Sequence, residues 1–523
     1  MYAQKIILSC LSACLYFWVL SIYPMQLNIN TGRNIKTPPS IRQYSRVVQF
    51  IAILLLLCAS PSSAQDINSY FEKIRNNSAE LTAFFSQMPK GGDLHNHLAG
   101  SIYAETYIDY VVSKDYFINT TTLKVSQKPP VEKEWVRFSE LAKTGSLPGY
   151  IAGLIQKWSV KDYNYISYPS DKLFFETFPL FDIASKNTVD TGLIELKKRA
   201  IAEHVNYIET MIGVKGEDNI KMPTPFLDNS LEHAQGKRDT ALTFRIVDTI
   251  FNAIIAGIRP AALANDKYIS GLQKKNAIDD TDFTMKYLFA FSRIDKPTNV
   301  FKKMLLAFES VAADTSNLVV GVNIVAPENN DISMNDYWLH MQMFRYCHSK
   351  TQFSKVKYSL HAGELALGMV KPEELTWHIN AAVYTAGADR IGHGVDLPYE
   401  SNPYELLDYM AKNKIAIEIN LLSNEFILKV RDDRHPIMLY KRFNVPIIIS
   451  TDDAGVLRTN LTEQYVLLAS RYKDISYADI KQFVYNSITY SFIKDELLKA
   501  KIISQLDAQF SLFERKVLAL SPK

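Results

Sequence analysis

From about residue 284 onward the chain alternates two hydrophobic patterns at near-regular spacing. Almost uninterrupted apolar, β-rich runs occupy residues 284–292, 318–325, 356–360, 390–393, 415–419 and 445–450. Between them lie amphipathic helical stretches, for example 301–312, 373–385 and 404–412. An apolar run without polar alternation predicts a strand covered on both faces, and so a parallel sheet with helices outside it. Two earlier runs, 92–95 and 205–211, bring the strands to eight, the number that closes a (β/α)8 barrel.

The remaining segments surround that frame. Residues 65–88 read as a helix packed on the outside and ending before Pro89. The stretch 106–170 is aromatic and punctuated by Lys and Pro, which predicts an insertion rather than a barrel unit; 213–240 is a second irregular stretch rich in breakers. The tail, 462–520, reads as helical. The expected fold is therefore α/β: a TIM barrel with an N-terminal helix, helical insertions and extra C-terminal helices, spanning residues 65–523.

Residues 1–64 read as a targeting region. They hold five basic side chains and no acidic one, with apolar runs at 5–23 and 47–58. Ser62-Ser63-Ala64 after the second run fits a signal-peptidase site, and that run is too short to span a bilayer comfortably. Export to the periplasm or the extracellular space is expected, with cleavage near Ala64. The first run is either a membrane helix or sequence upstream of a true start at Met25, and any membrane contact is expected through this segment alone. Without the leader the formal net charge of +3 becomes 53 basic against 55 acidic groups, so no nucleic-acid surface is expected. Cys10, Cys14 and Cys58 go with the leader. Cys347 is left alone, which excludes both an intrachain disulfide and a two-thiolate zinc site.

Polar clusters recur at the strand ends, where a β/α barrel carries its reactive groups. His95 and His97 stand two apart, so a strand would present both imidazoles on one face. His361 ends the fifth predicted strand, with Glu364 three residues later past Gly363. His393 is flanked by Gly392 and Gly394, and Asp452-Asp453 follow the most apolar strand. Each cluster alone has an ordinary reading as a loop pair, helix start, core histidine or surface turn. Together, three histidines and an aspartate form a donor set suited to zinc.

The order of these segments resembles the adenosine deaminase family of metal-dependent amidohydrolases, most nearly its secreted, growth-factor-like branch. The likeness runs over about residues 85–500. It rests on Asp93-Leu94-His95-Asn96-His97, His361-Ala362-Gly363-Glu364, Gly392-His393-Gly394, Ser423-Asn424 and Ser450-Thr451-Asp452-Asp453. It implies one Zn2+ per chain on His95, His97, His361 and Asp452, and hydrolytic deamination of adenosine, and of 2′-deoxyadenosine, to inosine and ammonia. Glu364, His393 and Asp452 would be catalytic: Glu364 protonating N1, His393 orienting and helping to deprotonate the attacking water, Asp452 holding it. His97, Gly363 and Asp453 would meet the purine nucleoside, Asp453 at N7 and the Gly363 N–H at N3.

Two departures fall on the sugar side. Ala99 stands where the family carries an Asp for the ribose 5′-hydroxyl, and Val325-Ala326-Pro327 replaces the usual glycine loop. Residues 174–178 (Phe-Phe-Glu-Thr-Phe) are expected to wall the base or to form an ordinary core helix face. The competing functions are an amidohydrolase acting on another adenine derivative or ring amide, a non-catalytic growth-factor-like binding protein, and a structural envelope protein.

Overall fold

The computed structural model describes residues 66–520, apart from 129–130, 132–133, 165–167 and 223–225. The targeting region, 1–64, lies outside the described residues. Among the described residues eleven strands occur in chain order: β1 (Gly91–His97), β2 (Phe117–Asn119), β3 (Val125–Ser126), β4 (Trp135–Arg137), β5 (Val205–Gly213), β6 (Thr284–Ser292), β7 (Val319–Val325), β8 (Lys357–Ala362), β9 (Arg390–His393), β10 (Ala416–Ile419) and β11 (Ile447–Ile449). β1 and β5 to β11 form one eight-stranded parallel sheet in sequential order. All eight are the strands expected from the apolar runs.

The sheet curls until β11 returns to β1. That seam carries few ladder bonds: the Asp452 N–H donates to His95 O at 2.8 Å, and the His97 N–H to Asp452 O at 3.4 Å. Side chains complete it, with Thr451 donating through its N–H and its hydroxyl to Asp93, at 3.2 and 2.5 Å. The product is a nearly closed TIM barrel with helices outside.

Met211, Leu288, Val320 and Phe492 form a small apolar cluster inside the barrel. Gly321 has no side chain because of this plug: a Cβ there would lie 2.6 Å from the Phe492 ring. Above the plug is a buried ionic triad. Arg390 donates to Glu209 and to Glu418, each at 2.5 Å, and its guanidinium lies 3.6 Å from the centre of the Phe492 ring.

The structure differs from the expected pattern in four places. Residues 65–88 form two helices, Ile67–Ile74 and Ser78–Gln87. Between them Arg75 is buried and donates to the carbonyls of Ala469, Tyr472, Lys473 and Ile475, while Asn77 caps the second helix. Residues 106–170 lie outside the barrel sheet but are not irregular. They fold β2, β3 and β4 into a small antiparallel sheet beside helices such as Leu147–Lys157. The stretch 373–385 is not one helix but two short turns followed by a π-turn, Ala381–Ala386. Finally, a 36-residue helix, Thr240–Lys275, is the one described helix long and apolar enough to cross a membrane. Its buried stripe, Ile246, Ile250, Ile254, Ile258 and Ala262, repeats every four residues, and it packs on the helices Pro297–Ala313 and Asp331–Ser349.

Replacing Arg390 leaves two buried carboxylates facing each other without a counter-charge. Arg390→Met is expected to cost about 3–5 kcal/mol, read as a lower denaturation midpoint in urea; an unchanged midpoint would contradict a structural role for the triad.

Candidate active site

Every strand-end cluster singled out above opens on the same end of the barrel. The pairing of β1 with β5 slips between Asp93 and Asn96, and this bulge turns His95 and His97 toward a common point. His95 Nε2 lies 3.1 Å from His361 Nε2, and His97 Nε2 lies 3.2 Å from the same atom. Asp452 Oδ1 is 3.2 Å from His97 Nε2 and 3.6 Å from His95 Nε2. Donor atoms so spaced match ligands of one small divalent ion, each about 2.0–2.2 Å from it.

The chemistry of the donors makes the same point. His95 Nδ1 donates to Glu418 Oε2 at 2.8 Å, which leaves its Nε2 as a lone pair. His361 Nδ1 faces Asn323 Oδ1 at 2.9 Å, so its Nε2 is a lone pair as well. Two lone pairs aimed at each other repel unless a cation lies between them. Burial disfavours charge on His97, yet Asp453 and Asp452 raise it to about 9, as expected of a pocket built to hold positive charge. Burial also opposes ionisation of Asp452, but the hydrogen bond from His97 and the surrounding imidazoles keep it below its ordinary value. The residues therefore fit a metal.

Around this centre sit the groups able to move protons. Glu364 Oε1 is 3.7 Å from His393 Nδ1, and His393 Nε2 is 3.9 Å from Asp452 Oδ2. Burial, then the charges of Asp452 and Glu328, push the Glu364 carboxyl well above its ordinary value. Asp453 is raised too, first by burial, and its Oδ1 has no hydrogen-bond partner among the described residues. Gly100 makes room for that carboxylate: a Cβ on Gly100 would lie 1.6 Å from Asp453 Oδ1.

A relay fixes the state of His393. The Ile437 N–H donates to His435 Nδ1 at 3.2 Å, so His435 Nε2 carries a proton and donates to Asn424 Oδ1 at 3.1 Å. Asn424 is thereby oriented to donate through Nδ2 to His393 Nδ1 at 3.0 Å. The His393 proton then sits on Nε2, facing the cavity. In this tautomer His393 orients by donating, and the expected share in deprotonating water has no free lone pair on Nε2 to use.

Gly363 also departs from expectation. Its N–H donates to Glu328 Oε1 at 3.1 Å, beside the Glu364 N–H on Glu328 Oε2 at 2.9 Å. The amide expected to meet the substrate is engaged by the protein. Glu328 is fully buried against His378 Nδ1, at 2.6 Å, and positions the whole Glu364 turn. Glu328, Asn323, His435 and Gly100 are the residues that the sequence reading passed over. A lone Asn inside the apolar run of β7 was the one local signal available.

The cavity over the site has a volume of about 510 Å3. His97, His361, Glu364, His393, Asp452 and Asp453 form one end, and Phe174, Phe175 and Phe178 of the helix Ser170–Ser185 contribute to the wall. The aromatic segment is thus a wall of the site and part of a helix face on the core at once.

Residues 249–509 match the model of the adenosine deaminase family. Adenosine deaminase of Clostridium kluyveri is 33% identical over 139 residues, which cover 26% of this chain and 36% of that protein. Adenosine deaminase of Shewanella denitrificans is 28% identical over 200 residues, covering 38% and 54%. The alignments thus span about a third to a half of these relatives' own length. Among solved structures, Arabidopsis ADAL complexed with IMP superposes with a TM-score of 0.51 at 17% identity, covering 83% of this chain and 99% of that one. The Arabidopsis N6-mAMP deaminase gives a TM-score of 0.50 at 18% identity, covering 82% and 99%. These two show the shared fold.

Gly392 lies directly beneath His95: a Cβ there would approach the imidazole Cε1 to 2.6 Å and Nδ1 to 2.9 Å. Gly392→Ala is expected to tilt that ring off Glu418 and to weaken divalent-metal binding by about 10–100-fold. Titration against a chromogenic chelator measures this, and an unaltered affinity would remove His95 from the donor set. The family match, these relatives and the convergence of the strand-end side chains together support placing this chain in the adenosine deaminase family.

Proposed function

We propose that this protein is a zinc-dependent aminohydrolase that converts adenosine and 2′-deoxyadenosine to the inosine product and ammonia. The observation that carries this reading is the meeting of four candidate metal donors with the buried Glu364 carboxyl in the same cavity. His95, His97, His361 and Asp452 would hold the ion. Zinc there supplies a water whose pKa is about 7, ready to act as nucleophile at neutral pH.

The chain's own groups divide the rest of the work. Glu364, whose carboxyl burial and the charges of Asp452 and Glu328 push well above its ordinary value, lends a proton to the ring nitrogen beside the reacting carbon, which makes that carbon more electrophilic. Asp452 Oδ2 accepts the Ser423 hydroxyl at 2.6 Å, so this carboxylate is held ionised and able to take a proton. His393 Nε2–H fixes the direction of attack. Asp453, buried with an open acceptor position, meets the imidazole side of the purine. Addition of water forms the C–O bond as one of its protons passes to Asp452. The C–N bond breaks as that proton joins the amino group and leaves with it as ammonia; the ring nitrogen keeps the proton lent by Glu364, and the second water proton, released as the C=O forms, restores Glu364. The solved relative bound to IMP, a deaminated purine nucleotide, supports the ring chemistry. The apolar run at 47–58 with Ser62-Ser63-Ala64 supports an exported enzyme.

The decisive test follows the ultraviolet change as an adenine ring becomes hypoxanthine. Glu364→Gln keeps the shape of the site and its metal but loses the proton donor, so kcat is expected to fall about 10²–10⁴-fold with metal content unchanged by elemental analysis. Undiminished turnover in that variant, or no turnover of any adenine compound by the native protein, would falsify the reading.

A further inference from the structure

The cavity wall beyond the reacting end is markedly uniform. Leaving aside the six polar site residues, the lining is Leu98, Ala99, three phenylalanines of the helix Ser170–Ser185, and apolar or small groups from the ends of β5, β6 and β7. Among the described residues Ser292 is the one further lining side chain with a hydrogen-bonding group, and its Oγ already accepts the Ile294 N–H at 3.1 Å. Among the described residues no Lys or Arg lines the cavity.

These facts sort the groups that a substrate could carry beyond the base. A phosphate would be taken from water against a wall that offers it no Lys or Arg among the described residues, the costliest case of burying a charge unpaired. A terminal hydroxyl would find few partners and lose its hydration. An alkyl or thioether group loses nothing polar and gains contact with Met211, Phe174 and Phe178, whose ring edges suit sulfur. Met211 and Phe174 are themselves almost fully buried, at 3% and 2% exposure, so this wall is dry protein rather than a wet rim. Ala99 stands two residues past His97 in the same wall, and its side chain is exposed to the opening.

We infer that the preferred substrates are adenine nucleosides whose N9 substituent ends in an uncharged, apolar group, with a 5′-deoxy or 5′-alkylthio carbon in place of the 5′-hydroxyl or phosphate. This rests on the deaminase reading above and narrows it. The reaction is unchanged: water in, ammonia out, and the 5′ group untouched. A reaction that releases 5′-deoxy or 5′-alkylthio nucleosides must supply such a substrate.

The test compares kcat/KM for five compounds on the metal-loaded, full chain: 5′-deoxy-5′-methylthioadenosine, 5′-deoxyadenosine, adenosine, AMP and free adenine. The first two are expected to exceed adenosine by about tenfold or more, in the range a single apolar group can supply, and to exceed AMP by a wider margin. Adenosine, AMP or adenine turned over as well as the first two overturns the inference while leaving the deaminase reading standing. Loss of all five overturns the deaminase reading itself. A binding measurement independent of turnover uses calorimetry with the products, 5′-deoxy-5′-methylthioinosine against inosine, and should show the same order. Ala99→Asp puts a carboxylate into the wall without disturbing the core. It should erase most of the methylthio preference, about tenfold, in both kcat/KM and product binding; an unaltered ratio counts against the assigned wall.

Discussion

Closure of the barrel and assembly of the metal site depend on the same backbone contact. Asp452 offers its N–H to His95 O and its carbonyl to the His97 N–H, at 2.8 and 3.4 Å, and these bonds join the last strand to the first. The side chains of those three residues are three of the four metal donors. A chain whose β11 failed to reach β1 would lose both the seam and the site, whereas slippage elsewhere in the sheet would leave these three side chains together. The weak ladder at this seam therefore has a chemical counterpart, because an ion shared by the three side chains would bridge the same two strands. Metal binding there would be linked to folding for this reason.

The second constraint is electrostatic. The barrel mouth buries more carboxyl groups than cations, and the structure separates their protonation states by the partners it gives them. Burial works against ionisation of Glu418, yet Arg390 and His95 hold it down at about 2. Glu328 is kept ionised by His378 despite burial, and its charge helps push Glu364 and Asp396 up. Pairs of carboxyls forced apart in this way define which can accept a proton and which can give one. Asp452 and Glu364 are such a pair, facing each other across His393.

Much of this was legible in the residues. The eight barrel strands could be read because each is buried on both faces and therefore runs apolar without interruption, as in Val319–Val325 and Ile447–Ile449. The donor residues could be read because glycines and paired polar residues at strand ends have no reason to be there in a core. The break at Arg75 is masked by apolar periodicity that continues through it; Asn77 is its one local signal, and the carbonyls of residues 469–475 that hold Arg75 are a tertiary contact. The helix Thr240–Lys275 went unassigned because the breakers just before it draw attention away from its four-residue repeat. Glu328, His435 and Gly100 act through partners 36, 11 and more than 350 residues away, so nothing local marks them.

The backbone explains why those distant supports are needed. His393 and Asp452 both sit in left-handed conformations, with φ of 70° and 61°, although each has a full side chain. Such geometry costs on the order of 1–3 kcal/mol per residue and persists only where neighbours over-determine it. Asp452 is held by its two seam bonds and by the Ser101 hydroxyl on its carbonyl at 3.1 Å. His393 is held between Gly392, which must stay small for His95, and Gly394, against whose carbonyl Tyr440 donates at 2.7 Å. Two of the side chains that aim into the cavity thus sit on strained backbone, and the neighbours that hold them carry that cost. Relaxing either φ would swing an imidazole or a carboxylate out of the cavity, so the strain is a condition of the chemistry and not an accident of packing.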